Sequence, residues 1–132
     1  MLRVLGIFLL MGVAGPSLAR QPLHEIPPVV QAFYSLGLAD EVRRNCTAID
    51  ARMFRAWKFL NSIERYARNL GYSDAEIDDF VRNKAEKERL RARIRADLAE
   101  RGATPGTPEG YCTVGHEEIA KGSVAGRLLR AK

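Results

Sequence analysis

The apolar residues between Met53 and Leu70 recur three and four positions apart, the spacing of one face of an α-helix. The stripe consists of Met53, Ala56, Leu60, Ile63, Ala67 and Leu70, and Phe54, Trp57 and Tyr66 widen it. Gly71 follows at the position where a left-handed residue commonly closes a helix. A face this broad predicts that the helix is the central element of the core, although its aromatic side chains would also suit a ligand pocket.

Other segments carry helical signals, and no stretch alternates with the period of two that a half-buried strand needs. Ser73 and Glu76 have the spacing of a capping box, Asn83 is a candidate cap, and Thr107 precedes a proline, as at many helix starts. The remaining helices are predicted at 29–45, 74–82 and 84–101, from 108 onward, and in a last short segment that ends at 130. The predicted fold is all-α, a single compact bundle of five or six helices.

The first nineteen residues have the pattern of an export signal. Arg3 is followed by an apolar run over 4–13, Pro16 breaks that run, and Ser17 and Ala19 are small residues at the positions that a signal peptidase reads. The run is too short to span a bilayer comfortably. No cysteine lies at the cleavage point, so we do not expect a lipid-modified N-terminus.

Cleavage after Ala19 would leave 113 of the 132 residues. The predicted organisation is a signal peptide over 1–19, an extended lead-in over 20–28 that ends in two prolines, and an all-α domain over 29–132. No segment of the mature chain is apolar enough to be predicted as a transmembrane helix. We therefore expect a periplasmic or secreted protein.

Cys46 and Cys112 are the two cysteines of the chain. In an oxidising compartment the simplest interpretation of such a pair is a disulfide. Closing a loop of this length contributes about 4 kcal/mol on the chain-entropy model, a large part of a total stability of about 5–15 kcal/mol. A redox-active or nucleophilic thiol is the alternative, but the sequence lacks the Cys-x-x-Cys spacing.

The net charge of +5 makes the chain basic, and basic proteins often bind nucleic acid. An exported protein seldom meets nucleic acid, so anionic lipid, lipopolysaccharide or an acidic wall polymer is the more natural counter-charge. A cluster of arginines flanks a thin apolar line of Leu90, Ile94 and Leu98 and is the candidate anion or partner surface. Its members are Arg82, Arg89, Arg91, Arg93 and Arg95. The alternative is a solvated helix whose arginine stems cover the edge of the core.

His116, Glu117 and Glu118 form the weak candidate for a polar site, because histidine beside carboxylates can bind metal or move protons. The zinc-protease motif His-Glu-x-x-His is absent, since residue 120 is Ala. Cys112 lies one helical turn before His116, but a disulfide would remove it as a nucleophile. We therefore assign no catalytic residue, metal ligand or cofactor.

The chain resembles a family of small exported bacterial proteins of unknown function over nearly all of its mature length. The segments that carry the resemblance are Gly37–Cys46, Ala51–Ala56, Leu70–Ile77, Tyr111-Cys112, Gly115–Ile119 and Leu128–Lys132. The resemblance implies an alphaproteobacterial source and a periplasmic location. It implies no activity, substrate or catalytic residue.

These observations favour a non-catalytic binding or interaction module of the cell envelope, whose partner is an envelope protein or an anionic envelope component. The alternatives are a small hydrolase that acts on the envelope and a structural accessory of an envelope complex. Sequence alone does not choose the partner or the oligomeric state.

The signal-peptide interpretation makes a direct prediction. N-terminal sequencing of the exported protein should begin at Arg20, because Ser17 and Ala19 place the cleavage site after Ala19. An N-terminus that still carries the apolar run, in protein recovered only from the cytoplasm, would contradict it.

Overall fold

The computed structural model describes residues 20–132, and the predicted signal peptide at 1–19 lies outside the described residues. The described chain forms six α-helices, one 3-10 turn and two short strands. The helices are α1 (Pro27–Asn45), α2 (Met53–Asn69), α3 (Asp74–Arg82), α4 (Lys84–Glu100), α5 (Pro108–Lys121) and α6 (Val124–Arg127). The 3-10 turn is Leu23–Glu25, and the strands are β1 (Ile49–Ala51) and β2 (Leu129–Ala131). The predicted all-α class is confirmed.

Several helix ends follow from local side-chain chemistry. The Ser73 hydroxyl accepts a hydrogen bond from the Glu76 amide at 3.2 Å, and the Glu76 carboxylate accepts one from the Ser73 amide at 2.6 Å. Asn83 caps α4 by accepting from the Glu86 amide at 3.0 Å. The predicted cap at Thr107 is absent, because its hydroxyl faces the preceding loop, where it accepts from the Thr104 amide at 3.3 Å and donates to the Gly102 carbonyl at 3.2 Å. Gly122 ends α5 with a φ of 62°.

Both ends of the described chain differ from the sequence prediction. The predicted extended lead-in contains a helical turn, and α1 begins at Pro27, two residues early. Leu23 lies in that turn and is buried in the second core cluster, so apolar burial holds the segment against the domain. The predicted last helix ends at Arg127 instead of Arg130, because the chain then runs antiparallel to β1 as strand β2.

The central element of the core is α1, and the prediction that α2 has this role is wrong. Helix α1 contacts α2, α4, α5, α6 and β1. Its buried side chains include Leu38 and Val42, which share one cluster with residues of α4, α5, α6 and both strands. In α2 only Ile63 and Ala67 are fully buried, in a second cluster with α1 and α3. None of the helices within 20–132 is long and apolar enough to cross a membrane.

A disulfide joins the two cysteines, as predicted. Cys46 follows the last residue of α1, Cys112 lies in α5, and their Cα atoms are 5.1 Å apart. One turn further along α5, Gly115 faces the side chains of Val42 and Ile49, which leave no room for a Cβ atom. The covalent bond and this glycine together hold α5 close against the end of α1.

The structure predicts the energetic role of the disulfide. The double variant Cys46→Ser/Cys112→Ser should lose about 4 kcal/mol of unfolding free energy, because the unfolded chain is no longer restrained by a long loop. Denaturant titration followed by circular dichroism measures this, and reduced wild-type protein is the matched control. A loss below about 1 kcal/mol in both samples would show that packing alone holds α5 to α1.

Candidate functional site

Three large apolar side chains at the start of α2 project into solvent, and we call them the α2 tip: Met53, Phe54 and Trp57. Their exposed fractions are 67%, 71% and 59%. The interpretation of the aromatic set as core is therefore wrong for Phe54 and Trp57, and also for Tyr66, which is 41% exposed. Ala56 and Phe59 turn the opposite side of these first turns toward the α1 core, which leaves Met53, Phe54 and Trp57 facing solvent.

The side chains of the α2 tip share one side of the helix, since Met53 and Phe54 lie four and three positions before Trp57. The rings of Phe54 and Trp57 stack with their centroids 5.9 Å apart, and the Lys58 ammonium lies 5.7 Å from the Phe54 ring centroid. Tyr66 is a separate feature, since nine residues at about 100° each place it on the opposite side of the helix from Trp57. The tip is thus a local apolar surface at one end of α2.

Four cations lie close to the α2 tip: Arg52, Arg55 and Lys58 are its neighbours along the chain, and Arg127 is placed there by the bond between its carbonyl and Arg55. Arg52 donates to the carbonyl of Leu129 at 3.0 Å, and Arg55 donates to the carbonyl of Arg127 at 3.3 Å, so both lie against the C-terminal segment. None of the four forms an ion pair with a carboxylate of residues 20–132, whereas the nearby Arg130 and Lys132 both reach Asp50. The sequence contained a partial signal for this surface, because Arg55 and Lys58 each directly follow one of its aromatic residues, Phe54 and Trp57.

Most of the arginines of the predicted anion surface are held by carboxylates. Arg82 pairs with Asp78 at 3.2 Å, and Arg89 pairs with Glu86 at 2.8 Å. Such exposed pairs contribute little to stability, but they lower the positive charge that a partner would meet.

The other side of α4 faces a buried carboxylate of α1. Arg91 and Arg95 lie 3.9 and 3.5 Å from Glu41, and Arg91 also pairs with Glu88. The apolar line between the two arginine rows is not available to a membrane, because Ile94 and Leu98 are buried against α1. The structure therefore places four of the five predicted arginines on two faces of α4, and it places Arg82 on α3.

Arg93 differs from the other four, because none of the described carboxylates pairs with it. Its guanidinium lies 5.0 Å from the ring centroid of Tyr34, a cation–π arrangement. The Tyr34 hydroxyl donates to Asp97 at 2.7 Å. Burial, together with this hydrogen bond and the charge of Asp97, raises the pKa of Tyr34 to about 12. Tyr34 therefore stays protonated, links α1 to α4 and fixes the direction of Arg93.

The weak polar candidate does not form one site. Arg101, at the end of α4, bonds the carboxylates of Glu117 and Glu118 at 2.9 Å each, and Lys121 lies 3.5 Å from Glu118. His116 is exposed and takes no part in this ion-pair cluster. Within 20–132 the structure shows no group of three His, Cys, Asp or Glu side chains placed to hold a metal ion. Glu117 and Glu118 instead tie α5 to the end of α4.

Opposing effects set the pKa of Glu118. Burial raises it, but hydrogen bonds with Ser123 and Arg101 and the charges of Arg101 and Lys121 outweigh burial, so the pKa lies below its ordinary value of 4.5. Because the pKa of Glu118 is lower in the folded than in the unfolded chain, its ionised form stabilises the fold. This contribution to the unfolding free energy is fully present above the unfolded-state pKa. It is lost as pH falls through the folded-state value.

This ion-pair cluster predicts a pH-dependent variant. Glu118→Gln should lower the unfolding free energy at neutral pH by about 1–3 kcal/mol, since Arg101 loses its buried partner. The difference from wild type should shrink as pH falls below about 4.5. The control Glu117→Gln removes the exposed partner of the same arginine and should cost less. Equal losses in both variants, or a difference that does not change with pH, would contradict the assignment.

Comparison with known proteins adds one finding at the level of the family. A protein-family model described as "Family of unknown function (DUF5333)" matches residues 21–130. No curated protein and no solved structure matches the chain.

Proposed function

The chain belongs to this family of unknown function, which transfers no activity to it, and we propose a function from its surface. The protein is an exported, non-catalytic interaction module that docks on the anionic surface of a bacterial envelope membrane. It docks through the α2 tip and the four cations around it.

The observation that carries the proposal is the exposure of Met53, Phe54 and Trp57 as one patch. A soluble domain rarely leaves adjacent large apolar side chains in water unless they meet a partner or a membrane. Tryptophan favours the boundary between lipid headgroups and acyl chains, because its ring is apolar and its N–H is polar. A short helix start bearing these residues can enter that boundary without crossing the bilayer.

The charges around the α2 tip favour an anionic membrane over a neutral one. Arg52, Arg55, Lys58 and Arg127 lack carboxylate partners within the described residues, so their charge is available to a partner. Attraction to anionic lipid is worth about 1 kcal/mol per cation near the surface and is screened by salt. Apolar insertion and charge attraction together supply the two signals that reversible membrane binding usually needs.

Two sequence features support an envelope location. The export-signal pattern of residues 1–19 would deliver the chain out of the cytoplasm. The Cys46–Cys112 disulfide suits an oxidising compartment such as the periplasm. The outer surface of the inner membrane and the inner surface of the outer membrane are both accessible to a protein in that compartment.

The membrane proposal is tested with the processed protein and lipid vesicles, using Trp57 as the probe because it is the single tryptophan. Vesicles of phosphatidylglycerol and phosphatidylcholine should shift its emission to shorter wavelength and protect it from a water-soluble quencher. Pure phosphatidylcholine should bind at least about tenfold more weakly, since attraction to the four cations is lost. Added salt should reduce binding to the anionic vesicles.

Matched variants separate the two contributions. Phe54→Ser should weaken vesicle binding about tenfold by removing apolar insertion, whereas Tyr66→Ser, on the opposite side of α2, should not. The double variant Arg55→Glu/Lys58→Glu should abolish the preference for anionic lipid, and Arg82→Glu on α3 should retain it. Binding unaffected by the α2 variants would refute the proposal, as would failure of wild type to bind anionic vesicles. Capture of an acidic protein by the tip in place of lipid would likewise overturn it.

A further inference from the structure

A second surface feature lies away from the α2 tip: an apolar cavity of about 200 Å³ between α1, α3 and the first half of α4. Val30 and Phe33 contribute from α1, Phe80 and Val81 from α3, and Leu90 from α4. The rings of Phe33 and Phe80 meet edge to face with centroids 5.2 Å apart, which fixes one wall. None of these wall residues belongs to the α2 tip.

The rim of the cavity is basic. Lys87, Arg89 and Arg93 line it together with His24 and Glu86. Glu86 is occupied by Arg89 at 2.8 Å, so it offsets one of the three permanent cations. Arg93 has no carboxylate partner within 20–132, and its stacking on Tyr34 holds it at the cavity edge. An anion at this rim would meet uncompensated charge from Lys87 and Arg93.

We infer that this cavity binds a small amphipathic anion, in which a single alkyl chain or ring carries one carboxylate or phosphate. The apolar walls of Phe33, Phe80 and Leu90 would receive the tail, and Arg93 with Lys87 would bind the anionic group. The site does not depend on the membrane proposal, because it uses other residues.

The size and chemistry of the cavity restrict the ligand. Its volume of about 200 Å³ exceeds that of an apolar cavity of about 150 Å³ known to take benzene, and it is well below that of most drug-sized sites. It therefore suits one short tail and is too small for the paired chains of a phospholipid. The apolar wall offers few partners for a sugar or a polar peptide, and the basic rim disfavours a cationic amphiphile.

The test uses NMR titration of the isotope-labelled processed protein with octanoate and, separately, octyl phosphate. Both should give saturable shifts at the rings of Phe33 and Phe80 and at the Leu90 methyls. The relative affinities distinguish a fatty-acid source from a phosphate ester. Octylamine should bind at least about tenfold more weakly than octanoate, since a charge-assisted bond to Arg93 is replaced by repulsion.

Variants locate the site and keep the proposal falsifiable. Leu90→Trp, which fills the cavity, should abolish the shifts, and Arg93→Gln should weaken octanoate binding about tenfold. Arg91→Gln, on the other face of α4, is the control and should bind normally. Equal affinity for octanoate and octylamine would overturn the inference. So would normal binding by Arg93→Gln, shifts confined to Trp57, or no saturable binding of either anion.

Discussion

The disulfide between Cys46 and Cys112 is the constraint on which the arrangement of the chain depends. It fixes the end of α1 to α5, and Gly115 lets the two helices approach closely one turn away. Strand β1 follows Cys46 after two residues and pairs with β2, so the C-terminal segment is attached to the same junction. Helix α2 starts after β1 with only Arg52 between them. The exposed α2 tip therefore follows a segment whose position is restrained by the disulfide and by the pairing of β1 with β2.

This arrangement explains why the most regular apolar pattern in the sequence is not the core. Periodicity shows which side chains share a face of a helix, but not how much partner surface the fold offers to that face. Helix α1 takes the central position because α2, α4, α5, α6 and β1 all contact it. In α2 only Ile63 and Ala67 are fully buried, while Ala56 and Phe59 are partly buried against the core clusters. The cations at 55 and 58 were a local sign that the side of the first turns bearing Phe54 and Trp57 faces water.

Features set by neighbours along the chain were predicted well, and features set by distant partners were not. The capping box at Ser73 and the start of α4 at Asn83 depend on residues three positions away, and both are present. The end of α6 depends on β1, which lies about eighty residues earlier, so the helical pattern was extended too far. The disulfide is the exception, because a chain with two cysteines has one possible intramolecular pairing.

In the candidate surfaces, too, the sequence predicted what depends on neighbouring residues and missed what depends on distant partners. Sequence places four of the arginines on α4 and Arg82 on α3, but it cannot tell which are neutralised by Glu41, Glu86 and Asp78. It also cannot reveal that Tyr34 and Asp97 fix Arg93 beside an apolar cavity. A binding surface differs from a solvated helix in having unpaired charge next to exposed apolar side chains. Such charge can be identified only when the ion pairs of the folded chain are known.

The most direct test of this account is the accessibility of Trp57 in the processed protein without lipid or ligand. We predict a long-wavelength emission and quenching by iodide that approaches that of the denatured chain, because 59% of the residue is exposed and cations flank it. Short-wavelength emission that iodide does not quench would mean that the start of α2 is packed inside the protein. The surface from which the proposed function is derived would then not exist.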